Sequence, residues 1–170
     1  MTYFNGFSLD GEEALFEAYT SKSVYCVAGF SYGAQKALEH AYAHKGRIDK
    51  LILLSPAFFQ NQKPSFIRTQ LRYFESDKTA YVKQFLANVA YPSKENLEQY
   101  LNVGKVQELD ALLTYIWELD KIQTLLERGI EIEVFFGEKD KIIDVQSALD
   151  FFKPLCTTYF LKNMGHSLTH

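Results

Sequence analysis

Short apolar runs alternate along this chain with stretches of helical period. Residues 24–28 (Val24-Tyr25-Cys26-Val27-Ala28) form an apolar run of strand length. Residues 32–44 follow it with Ala34, Ala37, Leu38, Ala41 and Tyr42 at helical spacing, and Lys45-Gly46 ends that helix. Further strands are predicted at 50–54, 131–136 and 157–161, with a very short one at 1–4. Ser8-Leu9-Asp10 opens a helix predicted over 8–19, whose apolar face is Leu15, Phe16 and Tyr19. Another helix is predicted over 144–152. Residues 57–127 contain no strand pattern. They read as helices at 64–74, 77–89, 93–101, 105–117 and 118–127, punctuated by Pro64, Pro92 and Gly104.

Strands separated by helices imply a parallel sheet with right-handed crossovers. The expected class is α/β, with about five parallel strands, flanking helices and a helical lid over about 57–127, inserted between the third and fourth strands. A lid there lies over the carboxyl ends of the strands, where open α/β sheets bind ligands. The 170 residues fit one domain, 1–170. Such a length buries about 70% of the unfolded chain's surface.

The chemistry concentrates at Gly29-Phe30-Ser31-Tyr32-Gly33. Gly-x-Ser-x-Gly between a strand and a helix is the pattern of a nucleophile elbow. Glycines at 29 and 33 keep side chains out of crowded space, and the helix N-terminus faces any anion that forms at the serine. A plain glycine-rich strand-to-helix turn has the same five residues, so context decides. A serine hydroxyl needs a base and the base needs an orienting carboxylate. Asp140 lies four residues past the fourth strand and His166 five past the fifth, which matches the order Ser, acid, His. Asp144 competes with Asp140 but better fits the start of the next helix. His40 and His44 fall on a helix and His170 at the terminus. An oxyanion hole needs two donors: the N–H of Tyr32, next to the serine, and one from Asn5-Gly6-Phe7, assigned to Phe7.

Net charge is −3, which suggests neither nucleic acid nor a membrane surface. No apolar run approaches the roughly 20 residues of a membrane span. No Cys/His cluster has metal-ligand spacing and there is no phosphate loop, so neither metal nor cofactor is expected. The two cysteines, Cys26 and Cys156, read as small buried apolar residues rather than a disulfide framework. With no signal-peptide pattern in Met1-Thr2-Tyr3-Phe4-Asn5, a cytoplasmic location is expected.

The chain resembles the α/β-hydrolases, and more narrowly the short pimeloyl-acyl-carrier-protein methyl ester esterases of biotin synthesis. The residues are Tyr3-Phe4-Asn5-Gly6-Phe7, the elbow through Ala34, Leu53-Leu54-Ser55-Pro56-Ala57, Phe136-Gly137-Glu138-Lys139-Asp140 and Gly165-His166-Ser167. The elbow, Gly-x-x-Asp and Gly-His pieces are common to the superfamily. Two features depart from it: room for five strands instead of about eight, and Asn5-Gly6 where His-Gly is usual. The resemblance implies a serine carboxylesterase that cleaves the distal methyl ester of a pimeloyl chain on acyl carrier protein and leaves the thioester intact. Its triad would be Ser31, His166 and Asp140. The acidic carrier calls for a basic docking face, and between residues 61 and 83 Lys63, Arg68, Arg72, Lys78 and Lys83 oppose only Glu75 and Asp77. Lys63, Arg68 and Arg72 are the candidate contacts; a solvated helix face reads the same way. Tyr73, Phe74, Phe85 and Trp117 are candidate tunnel residues, although most such aromatics belong to a core. The rival readings are a thioesterase or small-ester esterase on this scaffold, and a non-catalytic binding module.

Overall fold

The computed structural model describes residues 1–170. Five strands form one parallel sheet in chain order: β1 (Thr2–Phe4), β2 (Cys26–Phe30), β3 (Lys50–Leu54), β4 (Glu131–Gly137) and β5 (Thr157–Leu161). Phe4, Gly29, Leu53, Val134 and Thr158 share one row across it. All of β2 is buried, and so is most of β3 and β4. Strands covered on both faces need no polar alternation, and these have little. The edge strand β5 is half exposed and carries polar and aromatic residues instead.

The helices are α1 (Tyr32–Ala43), α2 (Pro64–Ser76), α3 (Lys78–Ala90), α4 (Val106–Thr114), α5 (Leu119–Glu127) and α6 (Val145–Phe152). Helix α1 packs on β1, β2 and β3, α5 packs on α1, and α6 packs on β4 and β5. A single cluster of 39 buried hydrophobic residues joins these layers. No helix is long and apolar enough to cross a membrane.

Three local expectations are corrected. The helix predicted over 8–19 is a short 3-10 helix, Glu12–Phe16. Ser8 at φ 58° and Gly11 at φ 76° lie in the left-handed region, which interrupts a right-handed helix before it starts. The helix predicted over 93–101 is reduced to a 3-10 turn, Leu97–Tyr100. There Ser93 Oγ takes the Glu95 N–H and Asn96 Oδ1 takes the Glu98 N–H, so side chains hold the backbone out of a helix. The second strand lies two residues later than the apolar run suggested. A turn from the Ser23 carbonyl to the Cys26 N–H leaves Val24 and Tyr25 exposed. The shift brings the strand's end directly against Ser31.

Candidate active site

Ser31 sits between β2 and α1 at φ 54°, ψ −113°. A non-glycine residue in this region costs about 1–3 kcal/mol and persists only where its surroundings hold it. Here the Ser31 N–H donates to Leu54 O at 2.9 Å, and its carbonyl accepts from Ala34 and Ala57 N–H at 3.1 Å each. The end of β3 thus clamps the elbow. Close packing explains the two glycines. A Cβ on Gly29 would overlap the Gly33 carbonyl, and one on Gly33 would overlap the Phe4 carbonyl.

Three side chains converge across 135 residues of sequence. Ser31 Oγ lies 2.8 Å from His166 Nε2, and His166 Nδ1 lies 2.6 Å from Asp140 Oδ2. The side chains of His166 and Asp140 are both fully buried. Asp140 Oδ1 accepts from the Ile142 N–H at 2.7 Å and the Ile143 N–H at 3.2 Å. With the carboxylate ionised, the imidazole carries its proton on Nδ1, and Nε2 is left to accept from the serine hydroxyl. Asp144 instead caps α6: its side chain accepts from the Ser147 N–H and hydroxyl, which holds its carboxyl below the usual range. The structure thus places the carboxylate of Asp140, and not that of Asp144, against His166.

The loops bearing the acid and the histidine are knitted together. The Lys139 N–H donates to Met164 O at 2.8 Å and the Asn163 N–H to the Glu138 carboxylate at 3.0 Å. Ser167 N–H reaches across to Val89 O of α3 at 3.1 Å, and a Cβ on Gly165 would overlap the Tyr91 carbonyl. The helical insertion therefore supports the histidine loop as well as covering the site. Nothing in the sequence pattern signals that contact.

A cavity of about 610 Å³ opens at Ser31 and Phe7. Phe66, Gln70 and Tyr73 of α2 line it with Tyr81 and Phe85 of α3, and Leu109, Leu112 and Leu113 of α4 add to its apolar wall. No residue of α5 lines it. Of the four aromatics singled out as tunnel candidates, Tyr73 and Phe85 face the cavity. Phe74 and Trp117 are core: Phe74 lies against Phe7 and Tyr81, and Trp117 packs edge-on to Phe152 with Nε1–H donating to Ala57 O.

Phe7 presents its backbone N–H to no acceptor in the structure, and as the first residue of α1 Tyr32 has no intrahelical partner for its own. Tyr32 follows Ser31 in the chain and Phe7 lines the same cavity as Ser31, so the arrangement can hold a nucleophile, a base and two free donors. Lys63, Arg68 and Arg72 are exposed on α2 and its cap, and none forms an ion pair. No group of three or more His, Cys, Asp or Glu side chains is arranged to hold a metal. The cysteines are unbridged; burial pushes the Cys26 thiol up and that of Cys156 up to about 11, so neither is a ready nucleophile.

One buried acid went unread in the sequence. Glu12 is completely buried, and its Oε1 accepts from the Gly6 N–H at 2.7 Å. Its spacing of four from Phe16 and seven from Tyr19, both on the apolar face, was the available signal.

No family model and no curated protein matches the chain. Solved structures do. Est816, described as an N-acyl homoserine lactone degrading enzyme, is 14% identical with a TM-score of 0.64, covering 98% of this chain and 85% of that one. The bromoperoxidase of Bacillus anthracis is 13% identical with a TM-score of 0.63, covering 84% and 60%. The Exiguobacterium antarcticum esterase is 16% identical with a TM-score of 0.53, covering 82% of this chain. The chain spans 58% of that esterase's length. At such identities the likeness is one of fold. With the sheet order and the elbow, it establishes that this chain has the α/β-hydrolase fold, in a compact five-stranded form.

Proposed function

We propose that the chain is a serine carboxylesterase, and more narrowly that it removes the distal methyl group of pimeloyl-acyl-carrier protein methyl ester. The observation that carries the reading is the unbroken hydrogen-bonded line from Ser31 Oγ through His166 to Asp140 at the floor of an apolar cavity. Ser31 Oγ attacks the ester carbonyl as His166 Nε2 takes its proton. The developing oxyanion accepts from the Tyr32 and Phe7 N–H groups. His166 then returns the proton to the departing methoxide, and methanol leaves. Water attacks the acyl-enzyme by the same route and regenerates Ser31.

The substrate assignment draws on the sequence resemblance and on two supporting features. The cavity lies within the roughly 300–1,000 Å³ range of small-molecule sites, and aromatic and leucine side chains dominate its wall. Such a wall suits a methylene chain whose far end is esterified, because a free carboxylate would be costly to bury there. Lys63, Arg68 and Arg72, unpaired on the outer side of α2, suit an acidic carrier held outside while its acyl chain enters.

Mass spectrometry of pimeloyl-carrier methyl ester after incubation with the protein tests the reading directly. Loss of the methyl group with the thioester intact, absent with Ser31→Ala, is the expected result. Release of the chain from the carrier would make the protein a thioesterase. No reaction, with Ser31 still labelled by a fluorophosphonate, would leave the esterase chemistry and refute the substrate.

A further inference from the structure

The segment that supplies the Phe7 N–H has no regular secondary structure to hold it. It follows a three-residue strand and precedes a broken helix. Its backbone is nevertheless gripped on both sides. The Gly6 carbonyl accepts from the Leu9 N–H at 3.3 Å. The Gly6 N–H donates to Glu12 Oε1 at 2.7 Å, and the Tyr3 hydroxyl donates to the same oxygen at 3.2 Å. Glu12 is 0% exposed, and its second oxygen, Oε2, is buried with no hydrogen-bond partner. A carboxylate left half satisfied in the interior is expensive. Burial also raises its pKa, against the effect of the Gly6 bond, so the interior disfavours its charged form.

Its position accounts for it. The Phe7 N–H shares its peptide plane with the Gly6 carbonyl, which the Leu9 N–H holds. The Gly6 N–H belongs to the plane before it, which Glu12 fixes. With both planes held, the Gly6 φ and ψ that aim the Phe7 N–H are restricted. The Phe7 ring is anchored separately, against Phe74 of α2 and Phe85 of α3 at 5.9 and 5.7 Å. Leucine or methionine at position 12 would fill the same space but would leave the Gly6 N–H unpaired and the loop free to turn. A charged acceptor is also the stronger grip, roughly twice a neutral one.

We propose that Glu12 is a positioning residue for the oxyanion hole: its carboxylate, through the Gly6 N–H, holds the Phe7 N–H aimed at the carbonyl oxygen of the ester that Ser31 attacks. This rests on the reading of Ser31 as the nucleophile of an esterase.

The test compares wild type, Glu12→Met and Glu12→Gln on p-nitrophenyl butyrate, with sites counted by the fluorophosphonate endpoint. A trifluoromethyl ketone, which forms an oxyanion on the serine, is the transition-state probe. Removal of a donor costs about 10²–10³ in rate, so a misaimed one should lower kcat per counted site by about 10- to 100-fold in Glu12→Met. KM should stay within about twofold, and the ketone should bind more weakly by the same factor as kcat/KM falls. Glu12→Gln keeps an acceptor and should recover all but about fivefold. A merely structural residue would lower the melting temperature or the count of sites while leaving kcat per site and ketone affinity unchanged; that result overturns the proposal.

A second readout needs no turnover and covers a failure of the esterase reading. The Gly6 amide should exchange slowly with solvent deuterium in wild type and Glu12→Gln, and at least about tenfold faster in Glu12→Met. Should Glu12→Met fail to fold, a Gly6 amide that exchanges in the wild type as fast as an open loop overturns the proposal by itself. Absence of turnover and labelling in the wild type would refute the role of Ser31 instead, with the amide still reporting on Glu12.

Discussion

At Gly33 two residue-scale effects oppose each other, and their sizes decide the outcome. Gly33 lies in the first turn of α1, where alanine would gain about 1 kcal/mol from helix propensity. The added methyl, however, would overlap the carbonyls of Phe4 and Asn5, which are backbone and cannot swing aside. Overpacking of this kind costs about 1–3 kcal/mol and more where nothing yields. Gly33→Ala is therefore expected to lose about 2 kcal/mol or more by urea denaturation, and a variant as stable as the wild type would contradict the packing. The same contact seats the Asn5-Gly6-Phe7 loop beside the elbow, so the glycine serves the candidate site as well as the helix. Part of this was legible beforehand: the pentapeptide and its flanking periodicities mark an elbow. Which carbonyl each glycine makes room for was not, because Phe4 and Gly33 meet only after β1 pairs with β2.

Individual elements do separable jobs. The turn after β3 is a junction: Ala57 N–H holds the Ser31 carbonyl, while Ala57 O accepts from Gln35 Nε2 at 3.0 Å and Trp117 Nε1 at 2.9 Å. Gln35 also donates to Leu112 O, so one buried amide links α1 to the cavity wall in α4. Helix α6, by contrast, lends no side chain to the cavity wall and packs on β4 and β5, the strands that lead into the acid and histidine loops. Asp144 caps its N-terminus, and the carboxylate bonded to His166 is that of Asp140, so Asp144→Ala should cost about 1 kcal/mol of stability with kcat unchanged. Esterase assays beside thermal melts would check this, and a large fall in kcat would reopen the assignment of Asp140. The capping role was readable from an acid one position before an apolar helix. The jobs of Gln35 and Trp117 were not, since their partners lie 77 and 60 residues away.

For the molecule as a whole, the buried Glu12 makes stability depend on pH. Burial holds its carboxyl above the ordinary range in the folded state, even with the Gly6 bond pulling the other way. Folded protein therefore keeps the proton more readily than unfolded chain. The sign follows: Glu12 is least costly below its unfolded value, and stability falls as pH rises from there through its folded value. Glu12→Gln cannot ionise, so its stability relative to wild type should improve between about pH 4 and pH 7. Urea denaturation of both proteins across that range measures it, and a difference that is flat or of opposite slope would refute the burial cost. Sequence alone determined the strand–helix alternation, the parallel sheet it implies, and the order of serine, acid and histidine on successive loops. Those follow from periodicity, turn chemistry and chain direction, which act over a few residues and survive without tertiary context. Tertiary structure decided which aromatics line the cavity and which fill the core, that α3 supports the histidine loop, and that a glutamate in a broken helix grips the Asn5–Gly6 peptide. These depend on which side chains exclude water together once the sheet and helices have packed, and no local pattern records contacts made across so many residues.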